Sequence, residues 1–167
     1  AFDPAVYDSI AYRAERLLLA VPASFAINEA AAAYRLTAEE LQAGRDAPGV
    51  PLALFKDEPF LLLKEGDLVR TIGDQILEES RIHPVVSAYA EHLDTLYTLC
   101  EAGLGAMFCP KMYLSELHPD AAPGVHCFQL PNPLARYAVN LSYPVNAYKN
   151  TALHAFLLAA KTFGDAM

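Results

Sequence analysis

The sequence contains no run of basic residues. Its 12 lysines and arginines are outnumbered by 20 aspartates and glutamates, which gives a formal net charge of -8. Contacts to nucleic-acid phosphates need clustered lysine and arginine side chains. We therefore do not expect this chain itself to bind nucleic acid.

Cysteine is scarce as well. The three cysteines, Cys100, Cys109 and Cys127, are widely spaced in apolar surroundings and have no spacing typical of a zinc site. Free cysteine is among the residues most often buried. The pattern predicts three buried free thiols in a reducing compartment and no metal site.

Long apolar runs and targeting signals are missing too. No uninterrupted apolar segment approaches the roughly 20 residues that a helix needs to span a bilayer. Residues 1–4 lack the basic region that opens a signal peptide. We expect a cytoplasmic protein with no membrane partner.

Catalytic signatures are equally absent. The five histidines are scattered along the chain, and no serine lies in a Gly-X-Ser-X-Gly setting. A lone histidine near an aspartate, such as His92 near Asp94, is weak evidence for acid–base chemistry. We expect no catalytic residue and no cofactor, and hence no enzyme.

What the sequence does have is a globular α/β pattern. Its 167 residues are 54% apolar and 19% charged, a composition that can support a sizeable core. Short apolar runs bounded by proline or glycine alternate with amphipathic segments, in the predicted order β, α, β, α, β, α, β, α, β, β, α. Such alternation predicts an α/β fold with a mostly parallel sheet flanked by helices.

Two polar segments follow predicted strands and open predicted helices. Residues 64–67 lead into one helix with Asp67 as its expected N-cap, and residues 91–95 lead into another with Asp94 as its expected N-cap. In parallel sheets, ligands bind at the carboxyl ends of the strands. Backbone amides at helix starts favour negative charge, so this edge is a candidate site for an anionic group.

Four segments in register carry a family resemblance. They read ERLLLAVP at 15–22, PFLLLKEGDLVR at 59–70, EHLDTLYTLCEAGLGAMFCP at 91–110, and VNLSY at 139–143 followed by 149–156. Together they resemble the C-terminal effector-binding domain of LysR-type transcriptional regulators. That resemblance implies a type II periplasmic-binding-protein-like fold of two α/β lobes with a small effector in the cleft between them. It also implies an N-terminal helix-turn-helix domain, outside this chain, that binds DNA.

The resemblance further divides the chain. Residues 1–21 correspond to the end of the first lobe and a crossing strand, 22–137 to a complete second lobe, and 138–167 to a returning strand and a C-terminal helix. The opening part of the first lobe has no counterpart, so we expect a homo-oligomer or a fragment of a longer protein. An alternative is a solute-binding protein of the same fold that serves a transporter.

The same resemblance implies the ligand contacts. Some family members have an arginine, here Arg13, that points toward an acidic effector. Other members sense peroxide through a cysteine placed where this chain has Leu68, which disfavours peroxide sensing here. The expected ligand-binding residues are Arg13, Lys64, Glu65, Gly66, Asp67, Leu68, Glu91, Asp94 and Thr95.

Overall fold

The computed structural model describes residues 7–43, 47–114, 124–144 and 151–165. The chain divides into two compact units. One unit comprises residues 16–136, and the other comprises residues 1–15 together with 137–167.

Helices and strands alternate, as the sequence predicts. Within the described residues, the structure also has short 3-10 turns at Leu52–Phe55 and Pro133–Ala135. In chain order the elements are β1 (Tyr7–Pro22), α1 (Glu29–Ala32), α2 (Ala38–Ala43), β2 (Phe60–Leu63), α3 (Leu68–Glu79), β3 (Val86–Ala90), α4 (Leu93–Glu101), β4 (Ala106–Pro110), β5 (Val125–Gln129), β6 (Arg136–Pro144) and α5 (Thr151–Asp165).

Strand β1 begins earlier than the sequence suggests. Residues 7–12 show no apolar periodicity, yet they continue the strand that the apolar run before Pro22 predicts. β6 pairs with β1, and backbone pairing of this kind needs no alternation of side chains. Arg13 lies on this strand, but its side chain is outside the described part of the structure. Its predicted ligand contact therefore stays a prediction.

The sheet of the 16–136 unit has the strand order β3-β2-β4-β1-β5. β2 is parallel to β3 and to β4, whereas β1 is antiparallel to both β4 and β5. Four strands therefore run in one direction, and β1 runs against them between β4 and β5. Helices α3 and α4 both pack on β2 and β4. The sheet is mostly parallel, as predicted, with one crossing strand.

The crossing strand forms the centre of the core. Leu17, Leu18, Leu19, Ala20 and Val21 are each no more than 1% exposed. An unbroken apolar run is what a strand covered on both faces requires, because side chains on both sides of the sheet are then excluded from water.

Aromatic pairs pack on the strands next to β1. The Phe60 and Phe108 rings have centroids 5.7 Å apart, and the Phe55 and Phe128 rings have centroids 5.2 Å apart. Both pairs are tilted, a geometry that aromatic rings favour in cores. They extend the core on either side of the crossing strand.

The three cysteines are buried and form no disulfide, as the sequence predicts for these thiols. Burial raises the pKa of Cys100 to about 12, with smaller contributions from Cys127 and Glu101. Burial also raises the pKa of Cys127 to about 12. Both thiols are therefore protonated at neutral pH and poor nucleophiles.

Short sequence motifs determine where several helices begin and end. The Thr37 hydroxyl accepts a hydrogen bond from the Glu40 amide at 3.2 Å, and the Glu40 carboxylate accepts one from the Thr37 amide at 2.9 Å. The spacing Thr-X-X-Glu is typical of such a capping box, here at α2. Gly103 follows α4 at φ +85°, in the left-handed region that glycine commonly adopts after a helix. Over the ranges that the structure describes, no helix is long and apolar enough to cross a membrane.

Candidate functional site

The candidate site lies where three neighbouring parallel strands end. Residues 64–68 follow β2, residues 91–95 follow β3, and a helical turn at residues 111–114 follows β4. The Lys64 amide donates to the Ala90 carbonyl at 2.9 Å, so the first two segments leave the sheet side by side. We call these three segments the carboxyl edge.

Asp67 caps helix α3, as the sequence predicts. Its carboxylate accepts the Val69 amide at 2.7 Å and the Arg70 amide at 3.4 Å. Gly66 precedes it at φ +95°, a conformation that glycine adopts without strain. Because Asp67 already satisfies two amides of the first turn, an anion at this helix start would have to displace an internal carboxylate.

We expect Asp67→Ala to lower the free energy of unfolding by about 1 kcal/mol, since it removes a side-chain cap. Urea unfolding followed by circular dichroism measures the loss. Glu65→Ala is the matched control, because Glu65 is an exposed acid on the same segment. Equal stability of the two variants would contradict the capping role.

The prediction that Asp94 caps α4 is wrong. The N-cap is His92, which makes no side-chain capping hydrogen bond, and α4 begins at Leu93. Only two residues separate the end of β3 from this helix, so Asp94 already lies within the first turn. Its charge still suits the helix dipole there. No side chain caps α4, in contrast to α3.

The Asp94 carboxylate instead accepts a hydrogen bond from the Tyr113 hydroxyl. Tyr113 is 6% exposed, and its ring centroid lies 6.0 Å from that of Tyr97. Burial, followed by the Asp94 hydrogen bond, raises the pKa of Tyr113, so the hydroxyl keeps its proton at neutral pH. The pair joins the segment after β4 to the start of α4.

Sequence reasoning missed Tyr113. A helical turn after Pro110 is predictable, but its apolar pattern does not show which residue faces α4. The contact arises from the pairing of β2 with β4, which brings distant segments to one edge.

Lys64 and Glu91 form an ion pair across the carboxyl edge. Lys64 Nζ and Glu91 Oε1 are 2.5 Å apart, and the two side chains are 60% and 63% exposed. The hydrogen bond from Lys64 lowers the pKa of Glu91, and Coulomb attraction to Lys64 lowers it further. Such exposed pairs contribute little to stability because water and salt screen them.

The carboxyl edge is rich in carboxylates. Lys64 is accompanied by Glu65, Asp67, Glu91 and Asp94. The last three each accept a hydrogen bond from a donor at the edge, as described above. An incoming acid therefore meets donors that are already in use, except for the first amides of α4, which no side chain caps.

The structure places the remaining predicted site residues on the same edge. Leu68 is the first residue of α3 and is 59% exposed, and Thr95 is exposed in the first turn of α4. Their predicted contacts with a ligand stay predictions. Across the ranges with assigned positions, no cluster of histidine, cysteine, aspartate or glutamate could hold a metal ion.

A neighbouring arginine has a structural role. The Arg70 Nε donates to both Asp74 carboxylate oxygens at 2.8 and 2.7 Å, and its Nη1 donates to the Leu63 carbonyl at 2.8 Å. Its guanidinium carbon lies 5.3 Å from the centroid of the Tyr89 ring. The Arg70 side chain links α3 to the ends of β2 and β3. These contacts hold the carboxyl edge in place.

Comparison with known proteins decides the family. The family model described as "LysR substrate binding domain" matches residues 36–164. The chain belongs to this family. This LysR family membership confirms the predicted resemblance and the periplasmic-binding-protein-like fold, and it supports the regulator interpretation over the transporter alternative.

Solved LysR-family structures have the same fold. The effector-binding domain of QuiR in complex with shikimate is 16% identical, with a TM-score of 0.69 over 99% of this chain and 69% of that one. The Synechocystis PCC6803 CcmR regulatory domain in complex with 2-PG is 10% identical, with a TM-score of 0.75 over 100% of this chain and 72% of that one.

A curated LysR-like relative is much longer than this chain. The uncharacterized HTH-type transcriptional regulator YcgK of Bacillus subtilis (strain 168) is 30% identical over 110 residues, which are 66% of this chain. The match spans 32% of that relative, so this chain covers about a third of the relative's length.

Proposed function

We propose that this chain is the ligand-sensing part of a LysR-type transcriptional regulator. It binds a small anionic effector at the carboxyl edge and controls DNA binding by a helix-turn-helix domain outside this sequence. A coupling of this kind requires that the effector bind one state of the regulator better than the other. The regulator acts in the cytoplasm, without catalysis or a cofactor.

The observation that carries the proposal is the uncapped start of α4 beside Lys64. The first amides of α4 have no capping side chain, and a helix start favours negative charge. Lys64 lies on the neighbouring segment, next to the end of β3. A carboxylate at this position would gain both an ammonium and backbone donors.

Known relatives support the choice of an acid. The QuiR domain was solved with shikimate, which is a carboxylic acid. For this chain we propose an effector from the class of small acids.

We also propose that the regulator is a homo-oligomer. Phe156 and Leu158 of α5 are 56% and 60% exposed. Burying side chains of this size is worth about 1.5–3 kcal/mol each, which favours a partner surface for α5.

The test is calorimetric titration of the purified chain with small carboxylic acids chosen by a thermal-shift screen. Each acid is paired with its neutral methyl ester. We expect the ester to bind roughly tenfold more weakly or worse, because it loses charge-assisted hydrogen bonds. Lys64→Gln should weaken binding of the acid and leave binding of the ester nearly unchanged. Binding of neutral compounds alone would contradict the proposal.

A further inference from the structure

Several donors at the carboxyl edge are occupied by carboxylates of the chain itself. Asp67 accepts hydrogen bonds from two amides of α3, Asp94 accepts one from the Tyr113 hydroxyl, and Glu91 accepts one from the Lys64 ammonium. An acid that binds at the uncapped start of α4 therefore meets a Lys64 ammonium that is already paired.

The three internal contacts differ in how easily an incoming acid can replace the carboxylate. Asp67 engages two backbone amides, with its contact to Val69 part-buried, and the Asp94–Tyr113 contact is part-buried too. The Lys64–Glu91 pair is exposed on both sides, with more than half of each side chain in solvent. Glu91 is therefore the carboxylate that an incoming acid displaces most easily.

We propose that Glu91 is a built-in competitor that the acid group of the effector must displace from Lys64. This inference rests on the proposed function, and it identifies Glu91 as a residue that determines specificity. The Lys64 ammonium then pairs with the carboxylate of the effector in place of the Glu91 carboxylate, and the number of ion pairs does not change.

The backbone explains why this competition is effective. The hydrogen bond from the Lys64 amide to the Ala90 carbonyl fixes Lys64 next to the residue that precedes Glu91. A carboxylate tethered so closely acts at a high effective concentration, which a free monodentate anion has to overcome.

The consequence is a selection among anions. A simple ion such as acetate or inorganic phosphate gains only the contact that Glu91 already makes. An organic acid that also contacts other parts of the edge gains more than it displaces. Glu91 thus weakens the binding of small anions that make no other contact with the edge.

The experiment compares wild type, Glu91→Gln and Glu78→Gln in titrations with acetate, inorganic phosphate and shikimate. Each variant removes one negative charge from an exposed glutamate, but Glu78 lies near the C-terminal end of α3, away from the carboxyl edge, so only Glu91→Gln releases Lys64. The readouts are calorimetry and the side-chain NMR shifts of Lys64. We expect Glu91→Gln to bind acetate and phosphate about threefold to fivefold more tightly than wild type, and Glu78→Gln to change less than twofold.

Two further variants complete the design. Glu91→Ala should reproduce the gain, which excludes an effect of the glutamine side chain, and Lys64→Gln combined with Glu91→Gln should abolish it. Unfolding by urea verifies that each variant is folded.

The possible failures are distinguishable. If wild type binds acids and Glu91→Gln binds them no better, or Glu78→Gln gains as much, the competitor role is overturned while the proposed function stands. If neither wild type nor Glu91→Gln binds any acid and the Lys64 shifts do not move, both are overturned.

Discussion

Phe128→Ala should lower the free energy of unfolding by about 3–5 kcal/mol. Phe128 lies on β5, is 0% exposed, and pairs in register with Leu19 of the crossing strand. Its ring also packs on Phe55. Truncation removes these contacts and leaves a cavity beside the crossing strand that the neighbouring side chains cannot fill. Urea unfolding followed by circular dichroism measures the change.

Two controls calibrate this loss. Phe128→Leu keeps most of the buried volume and should cost clearly less. Val85→Ala removes methyl groups from a side chain that is 75% exposed and should stay within about 0.5 kcal/mol of wild type. A loss for Phe128→Ala as small as that for Val85→Ala would show that β5 is not part of the core.

Gly105→Ala should have the second large effect and lower the free energy of unfolding by about 1–3 kcal/mol. A Cβ at this position would lie 2.8 Å from the Pro59 carbonyl oxygen and 3.2 Å from Leu61 Cγ. The same carbonyl accepts the Ala106 amide at 2.8 Å. The extra methyl group therefore pushes β4 away from β2 at the point where the two strands begin to pair.

The effect at Gly105 comes from lack of space, and two comparisons isolate it. Leu104→Ala changes the adjacent residue, which is 43% exposed, and should have little effect. Gly66→Ala meets no atom within 4 Å but requires φ +95°, so it reports backbone strain alone. A wild-type melting temperature for Gly105→Ala would disprove the close approach.

Features that depend on neighbouring residues could be predicted from the sequence. The Asp67 cap, the Thr37 capping box and the left-handed Gly103 each involve groups within a few residues of one another. The apolar run of β1 predicts a buried strand, and the structure covers both faces of that run. The family resemblance added the fold class, which the match over residues 36–164 confirms.

Features that depend on distant segments could not be predicted. The sequence places residues 64–67 and 91–95 on one edge, yet it does not reveal that Lys64 and Glu91 meet. It suggests Asp94 as a cap, whereas the fold brings Tyr113 against that carboxylate. In both cases the pairing of β2 with its neighbours decides which polar groups come together.

The placement of β1 has a consequence for synthesis and folding. Its residues 17–22 pair with residues 107–110 and 125–129, so the crossing strand is made long before either neighbour. At about 5–20 residues per second on the ribosome, roughly 5–20 s pass before β5 follows β1. Contacts so distant in sequence also slow the final folding step. During that interval the apolar run 17–21 of β1 lacks the strands that bury it. It is therefore exposed to aggregation and is a natural target for a chaperone that binds nascent chains.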